Sequence, residues 1–525
     1  MGRVKETFGM ITVYWSPMDP TIELDSNGLD ATDAPVAADP DWVADAVFYQ
    51  IFPDRFASSS RVPKPPGLEA WEAPPTRHGF KGGDLLGIVE RLDYLSDLGI
   101  TALYLNPVFS SASNHRYHTY DYDQVDPLLG GNDALRQLLD ACHDRDMRVV
   151  LDGVFNHVGR GFWPFHHLLE NGDQSPYTDW FFVEGWPLNA YAQRRKPNYR
   201  AWWGLRELPK LNVSNAETRE YLLSVAERWS RFGIDGWRLD VPGEIEDPEF
   251  WPMFRRRVKA IRPDSYLVGE IWTEAPEWLQ GDRFDALMNY PLARTLLGFV
   301  ATRLRPGLRH GTHALRSIQA QPALDQVAAL LQCYAPHVNY SQFNLLGSHD
   351  TERLATALDG DRDAVALAFL LQMTLPGTPC VYYGDELGLE GGSDPDCRGA
   401  FPWDRREAPP HSSLHRIVRA LIQFRREHSA LRRGSYRPLW ADGKILAYCM
   451  SDVSEVLVVL ANSSPRAVKP RLQLSAVLAK QFAEASLWSP TTDSKPVSLL
   501  DNEISFELGA RSGCVVVFRR RGTAK

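Results

Sequence analysis

The sequence predicts an α/β fold: a (β/α)8 TIM barrel with an excursion subdomain after its third strand and a C-terminal antiparallel β-sandwich. Short apolar, β-rich runs alternate with longer amphipathic stretches, and eight such βα units make a closed barrel. An aromatic-rich interval breaks the rhythm after the third run, and period-two alternation follows Phe424. A doubly wound sheet is the alternative, but it would need a glycine-rich nucleotide loop, which the sequence lacks. The predicted strands are Val47–Ile51, Ala102–Leu105, Arg148–Leu151, Gly236–Leu239, Tyr266–Val268, Phe284–Met288, Gln342–Leu346 and Cys380–Tyr383.

The same patterns divide the chain into five segments. Residues 1–42, which are rich in Asp, Pro and Ala, are expected to form an extended N-terminal arm. Residues 43–157 and 216–425 form the two parts of the barrel, and Asn132–Asp146 in the first part reads as a helix capped by Asn132. Residues 158–215 are the excursion subdomain, and residues 426–525 are the β-sandwich, with alternating runs at Glu455–Leu460 and Cys514–Phe518.

Charge and composition exclude several classes of partner. The formal net charge of −9 argues against nucleic acid or an anionic membrane as the main partner. The chain has no apolar run of about 18 residues and no signal-peptide pattern, so we expect a cytoplasmic protein with no membrane partner. The six cysteines are scattered without a Cys-x-x-Cys pair, so we expect neither a zinc site nor a disulfide framework.

Four acidic residues fall at the carboxyl ends of predicted barrel strands. Asp152 ends the third strand, Asp240 the fourth and Glu270 the fifth, and Asp350 follows the seventh. Barrel enzymes carry their chemistry at this end of the strands. A single such acid is easily structural, capping a helix or fixing a loop. Four acids at the mouth of one barrel instead favour catalysis.

Two of these acids suit the cleavage of a glycosidic bond. That reaction needs a protonated acid on the leaving oxygen and an ionised carboxylate facing the anomeric carbon. Arg238, two residues before Asp240 on the same strand face, would keep Asp240 ionised. Glu270 on the neighbouring strand would then be the acid, with its pKa raised by burial and by nearby carboxylates. Trp272 either supplies an apolar wall beside it or packs the barrel mouth.

Four ordered motifs resemble those of the α-amylase superfamily of glycoside hydrolases. They are Asp152–His157, Gly236–Asp240, Gly269–Trp272 and Ser348–Asp350. The resemblance implies that Asp240 is the nucleophile, Glu270 the acid/base and Asp350 a third essential carboxylate. It also assigns sugar contacts at the reacting subsite to Arg238, His157 and His349, and to His118 and Tyr120 as a hydrogen-bonding His and a stacking Tyr. Asp152 and Asn156 are expected to be structural.

A narrower resemblance comes from the segments LPKLN at Leu208–Asn212, VPGE at Val241–Glu244, Ser113–His115 and Met288–Pro291. These are similar to segments of neopullulanases, maltogenic amylases and cyclomaltodextrinases. The resemblance implies retaining hydrolysis of α-1,4 links in cyclodextrins, maltooligosaccharides, pullulan and starch, with transglycosylation through a β-glucosyl-enzyme. It makes Glu244 a residue that contacts the acceptor sugar, although a solvated loop acid is the simpler interpretation.

Two other functions are compatible with parts of this pattern. A dedicated transglycosidase, or an α-glucosidase acting on sucrose, trehalose or short maltosides, would share the same three acids. A binding chain that has lost catalysis is disfavoured, because all three acids and Arg238 are present.

The sequence also departs from the narrower group. Those enzymes usually carry an N-terminal β-domain that mediates dimerisation, whereas about 42 residues precede the first strand here. We therefore expect a monomer, or a homo-oligomer that does not use such a domain. No cofactor is expected. Calcium is the one candidate ion, but only Asn156 matches a ligand, and the loop Ala57–Arg61 lacks the Asp and Asn residues of a calcium site.

Overall fold

The computed structural model describes residues 21–24, 40–192, 194–404, 413–497 and 501–521. Its centre is a sheet of eight parallel strands in which each strand pairs with the next along the chain, except the sixth with the seventh, and the eighth pairs with both the first and the seventh. A bridge between Met288 and Phe343 joins the sixth strand to the seventh and closes the barrel. The predicted fold is thereby confirmed. The strands are Phe48–Ile51, Ala102–Leu105, Arg148–Gly153, Gly236–Leu239, Tyr266–Gly269, Ala286–Leu287, Phe343–Leu345 and Thr378–Tyr382.

Helices follow the strands and cover the outside of the barrel. The longer ones are Leu92–Leu98, Gly131–His143, Ala216–Phe232, Phe250–Ile261, Tyr290–Val300, Ala320–Cys333, Arg362–Thr374 and Ser413–Glu427. The expected cap at Asn132 was wrong. The helix begins after Gly130, whose φ is +99°, and the Asn132 side chain instead accepts a hydrogen bond from the Val125 N–H at 2.8 Å. Asn132 therefore ties the helix to the strand Thr119–Val125, which lies outside the barrel sheet.

Side chains alternate between the two faces of each barrel strand and so form two apolar cores, one inside the barrel and one between the barrel and its helices. Alternate strand residues such as Phe48, Tyr104 and Val150 pack together inside the barrel. Their neighbours, such as Leu103 and Leu151, face the surrounding helices and join the main core. A residue two positions beyond Val150 therefore points along the barrel interior as well.

The excursion subdomain lies between Gly153 and the helix that begins at Ala216. It contains the helix Trp163–Asn171, several short turns and four isolated bridges instead of a sheet. One bridge joins His157 to Lys210, and another joins Ala201 to Pro209. The segment LPKLN is thus held directly against the motif that ends the third barrel strand.

The C-terminal region contains two facing sheets that share one core. The larger is antiparallel, with strands Ser435–Asp442, Ile445–Ser451, Glu455–Asn462, Phe482–Ser489, Thr492–Pro496 and Ser512–Arg520. The smaller consists of Thr21–Leu24, Arg471–Leu474 and Glu503–Ser505. Part of the predicted N-terminal arm is thus a strand of this region, and residues 1–20 and 25–39 of that arm lie outside the described residues.

No helix within the described ranges combines the length and apolar character needed to cross a membrane.

Candidate active site

The strand period brings the acids of three strands to one place. Asp152 lies two residues beyond Val150, and Glu270 lies two beyond Val268, so both continue inward-facing rows. Arg238 pairs with Asp152 across the third and fourth strands and with Val268 across the fourth and fifth. Asp240 is the next inward position after Arg238. The barrel therefore collects one cation and three carboxyl groups at its carboxyl end.

The Arg238 guanidinium connects these carboxyl groups. Its Nη1 donates hydrogen bonds to Oδ1 of Asp152 and to Oδ1 of Asp240, each at 2.8 Å. Its Nη2 lies 3.0 Å from Oε2 of Glu270, but without the geometry of a hydrogen bond. Two nitrogens of one guanidinium thus place Asp240 and Glu270 side by side, as the sequence analysis requires. Asp240 and Glu270 are each only 6% exposed.

Glu270 is held by groups on both of its oxygens. The Val241 N–H donates to Oε2 at 3.1 Å, and the Trp272 indole donates to Oε1 at 3.3 Å. Val241 has φ 35° and ψ 52°, a left-handed conformation that is strained for a β-branched residue. The strained turn after Asp240 therefore aims a backbone donor at Glu270. Trp272 in turn stacks on Tyr290, with ring centroids 3.7 Å apart.

Asp350 forms the more open side of the cluster. Its carboxylate is 32% exposed, and its Oδ2 lies 3.0 Å from Nε2 of His349. Arg398 contacts Oδ1 of Asp350 at 3.2 Å and donates to the His349 carbonyl at 2.9 Å. Gln50 and Asn106 contact Nδ1 of the His349 ring at 2.8 and 3.0 Å. His349 and Asp350 are thus fixed from several strands.

Burial and charge act differently on the three carboxyl groups. Burial raises the pKa of Asp240 and of Glu270, and Arg238 opposes the rise in both. Two carboxyl groups that share one guanidinium in this way hold one proton between them more readily than none. Burial also acts to raise the pKa of Asp350, but His349 and Arg398 outweigh it and hold that pKa well below its usual range.

The structure brings Tyr117 to the cluster and leaves Tyr120 outside it. The Tyr117 hydroxyl donates to Oδ2 of Asp152 at 2.8 Å and lies 2.7 Å from Nε2 of His349, and the two rings stack 5.4 Å apart. The Tyr120 ring instead covers Gly159, where an added Cβ would lie 2.4 Å from it. Tyr117 therefore occupies the place that the motif match assigned to Tyr120, and the sequence analysis missed it.

The sugar-contacting histidine of this segment was assigned to His118, and here too a neighbouring residue, His115, lies closer to the cluster. The His115 ring lies 5.7 Å from the Tyr117 ring and 5.0 Å from that of His118, so His115 stands between His118 and the stacked Tyr117–His349 pair. Burial lowers the pKa of His118 to about 4. His118 is thus a neutral group one ring further from Asp350 than expected.

His157 and Asn156 lie where the excursion meets the barrel. His157 is buried, burial lowers its pKa to about 3, and its Nε2 has no hydrogen-bond partner. Asn156, which was expected to be structural, is also buried. Its Nδ2 lies 3.3 Å from Nδ1 of His157, but its buried Oδ1 has no partner.

The surroundings of Asn156 do not fit a calcium site. Within the described ranges, no group of three or more His, Cys, Asp and Glu side chains is placed to hold a metal ion. Lys210, which pairs with His157, also brings an ammonium group into this region, and its Nζ donates to the Glu244 carbonyl at 2.6 Å. One orphaned amide oxygen beside a lysine is a poor site for a divalent cation.

Glu244 contributes its backbone more than its side chain. Its carboxylate is 45% exposed and lies 3.9 Å from Nζ of Lys210. This agrees with a loop acid on the rim, beyond the turn that follows Asp240.

Comparison with known proteins decides the family. The description "Alpha amylase, catalytic domain" matches residues 50–408. This chain belongs to the α-amylase family of glycoside hydrolases. A cyclomaltodextrinase from Geobacillus thermopakistaniensis (strain MAS1) is 45% identical to this hydrolase over 441 residues, which are 83% of this chain and 72% of that protein.

Two solved structures resemble the hydrolase over nearly its whole length. The debranching enzyme from Nostoc punctiforme is 44% identical with a TM-score of 0.81, covering 92% of this chain and 100% of that one. The cyclic α-maltosyl-(1→6)-maltose hydrolase from Arthrobacter globiformis is 38% identical with a TM-score of 0.80, covering 91% of this chain and 100% of that one.

Three further residues of the hydrolase's site were absent from the sequence analysis. Tyr104 donates to Oδ2 of Asp152 at 2.7 Å, so Asp152 is held by two hydroxyl groups and Arg238. Arg398 steadies Asp350, and Tyr117 lies between Asp152 and His349. Tyr104 could have been found, because it lies on the inward-facing row of the second strand. Arg398 lies 48 residues from Asp350 on a loop, and no sequence pattern links the two.

Proposed function

We propose that this chain is a retaining α-glucoside hydrolase that cleaves α-1,4 links in cyclodextrins, maltooligosaccharides, pullulan and starch, and also transfers glucosyl groups. The observation that carries the proposal is the unequal contact of one guanidinium with two carboxyl groups. Arg238 donates a hydrogen bond to Asp240 but only lies near Glu270. A charge-assisted hydrogen bond favours the ionised form, so Asp240 is the anion and Glu270 keeps the proton.

The first step forms a covalent intermediate. Asp240 attacks the anomeric carbon, the bond to the leaving oxygen breaks, and Glu270 gives its proton to that oxygen. The product is a β-glucosyl ester on Asp240. Arg238 keeps Asp240 ionised before the attack, and Trp272 and the Val241 N–H hold the Glu270 carboxyl in place.

The second step releases the sugar. The Glu270 carboxylate takes a proton from a water molecule or from the hydroxyl of a second sugar, whose oxygen attacks the anomeric carbon and frees Asp240. Water gives hydrolysis and a sugar gives transfer. Asp350 binds ring hydroxyls of the reacting sugar, because its carboxylate lies on the more open side of the cluster, and the buried His349 contributes through the Nε2 that faces Asp350. Tyr117 offers its ring to the same sugar.

The first test is a covalent trap. A fluorinated glucosyl fluoride should label Asp240, as peptide mass spectrometry would show, and Asp240→Asn should lower kcat by roughly 10³-fold or more. Glu386→Gln is the matched control, because Glu386 is also a buried acid near a barrel strand end but touches none of these residues. A label on another residue, or full hydrolysis by Asp240→Asn, would refute the assignment.

A specific observation also favours cleavage of α-1,6 links. Two of the structures that this chain covers over 100% of their length are named a debranching enzyme and a hydrolase of a (1→6)-linked cyclic sugar. A time course on β-cyclodextrin, maltotriose, pullulan and panose would measure the ratio of the two cleavages. Adding sucrose to the panel separates both from a dedicated transglycosidase, which would give transfer products without net release of reducing ends.

The proposal also places the enzyme in the cytoplasm. All six cysteines are free, and five of them are buried, which suits a reducing compartment. Cell fractionation with an antibody to the chain would test this.

A further inference from the structure

The excursion subdomain exposes an unusual amount of apolar side chain. Among the residues that the structure describes, six large apolar side chains are exposed, and five of them lie between residues 163 and 205. Such a concentration is unfavourable in water unless a ligand or partner covers it. Trp203 is the extreme case, with 78% of its surface exposed. The five are Trp163, Trp186, Tyr191, Trp203 and Leu205.

Trp203 is held in place by a strained turn. Its φ of 49° and ψ of 23° are left-handed, a conformation that costs a large side chain energy. The turn is fixed on both sides, since the Trp202 N–H donates to the Leu208 carbonyl and the Leu205 N–H to the Trp202 carbonyl, each at 2.9 Å. Strain that the surroundings impose on an exposed aromatic residue is typical of a binding position.

A column of stacked rings connects Trp203 to His157 at the edge of the barrel. Trp203 stacks on Trp202 with centroids 4.6 Å apart, and Trp202 stacks on His157 at 4.9 Å, both at 15° between planes. His157 belongs to the motif that ends the third barrel strand and is 1% exposed. Its Nε2 and the Trp202 indole nitrogen are both buried without a hydrogen-bond partner. The column thus joins an open ring face in solvent to unpaired, buried polar groups where the excursion meets the barrel.

We infer that Trp203 is an outer sugar-binding platform, on which a glucosyl unit beyond the reacting sugar stacks. The C–H face of a glucose ring is apolar, so packing it on the indole removes exposed apolar surface from both. Trp202 and His157 brace the platform from behind. The inference rests on the proposed function for its substrate class, an α-glucan of several units.

The test compares long and short substrates. Trp203→Ala should raise the ratio of KM for maltohexaose to KM for nitrophenyl α-glucoside about fivefold, with little change in kcat for maltohexaose, because an outer contact binds ground and transition states alike. Trp203→Phe, which restores a ring, should recover most of the loss. Trp163→Ala is the matched control, since Trp163 is 61% exposed in the same subdomain but its ring lies against His167.

A binding measurement separates this inference from the proposed mechanism. In an Asp240→Asn background, calorimetry should show about fivefold weaker maltohexaose binding when Trp203 is also changed to Ala. An unchanged ratio and unchanged binding would overturn the platform while leaving hydrolysis intact. Equal losses in Trp163→Ala would overturn it too, because the effect would not belong to the stacked column. Failure of the proposed function would instead appear as wild-type enzyme that cleaves no α-glucan.

Discussion

Glu386 offers a stringent check on the electrostatics of the barrel mouth. It follows the eighth strand, is 0% exposed and takes no part in the proposed chemistry. Its Oε1 accepts hydrogen bonds from the hydroxyls of Tyr49 and Tyr94, at 2.8 and 2.6 Å. No cation is among the main influences on its pKa, and within the part of the chain that the structure describes its buried Oε2 has no hydrogen-bond partner. The perturbation that tests this arrangement is Glu386→Gln, which keeps the shape and removes the charge.

The expected magnitude follows from the pKa of Glu386. Burial raises this pKa from 4.5 to about 7, against the opposing effect of the two tyrosine hydrogen bonds. Below pH 4.5, both the folded and the unfolded chain carry the proton of Glu386. As the pH rises, the unfolded chain loses its proton first, so the free energy of unfolding falls until the pH exceeds the higher value. The total loss is roughly 3 kcal/mol.

The assay is urea unfolding followed by tryptophan fluorescence for wild type and Glu386→Gln. At about pH 5 the two should unfold at similar urea concentrations, whereas at about pH 8.5 the variant should be more stable by roughly 3 kcal/mol. Glu390→Gln, an exposed acid four residues on, reports the effect of a charge change alone. The reasoning fails if the stability difference between wild type and Glu386→Gln is the same at both pH values, or if the variant is the less stable one at high pH.

Two further predictions concern the reaction itself. Glu270→Gln should slow cleavage of maltosides by about 10²–10⁴-fold but leave formation of the glucosyl-enzyme from an activated aryl glucoside nearly intact, because a good leaving group needs no proton. Pre-steady-state bursts with both substrates would measure this, and equal losses would contradict the acid role. Chelation with EDTA should leave kcat and KM unchanged, since the residues around Asn156 do not form a calcium site; a loss that calcium restores would show that they do.

The barrel could be predicted from the sequence because parallel strands are buried on both faces and appear as apolar runs. All eight runs are strands, with ends that differ by one or two residues at most positions. The sixth strand is shortened most, since Phe284–Met288 was expected and the strand is Ala286–Leu287, with Met288 only in an isolated bridge to Phe343. An apolar run shows where a strand lies in the sequence, but it does not show at which residue the hydrogen bonds to the neighbouring strand stop. Asn132 failed as a cap for a related reason, because its side chain was engaged by a neighbouring strand.

The acids at the barrel mouth were predictable because each interrupts an apolar run at a strand end, where only a partnered charge is tolerated. The aromatic residue that contacts them, Tyr117, was not predictable. The sequence contains His-x-Tyr twice in succession, at His115–Tyr117 and at His118–Tyr120, and the sequence analysis assigned the second. The structure places the first pair at the acids. The two registers differ by three residues, and nothing in the residue types separates them.

Backbone strain explains why the sequence alone does not decide which of two similar residues faces the acids. Arg116, Val241 and Trp203 all have positive φ values, of 61°, 35° and 49°. The first precedes Tyr117, the second follows Asp240, and the third carries the outer ring of the stacked column. A glycine would mark each of these turns in the sequence. A residue with a side chain gives no such signal, although holding it in this conformation costs about 1–2 kcal/mol. At Arg116 the strained backbone directs the ring of the next residue, Tyr117, toward the acids. At Val241 it directs the residue's own N–H toward Glu270. The residues hardest to predict are therefore those whose conformation the fold imposes against local preference, and here two of the three position groups that contact the acids.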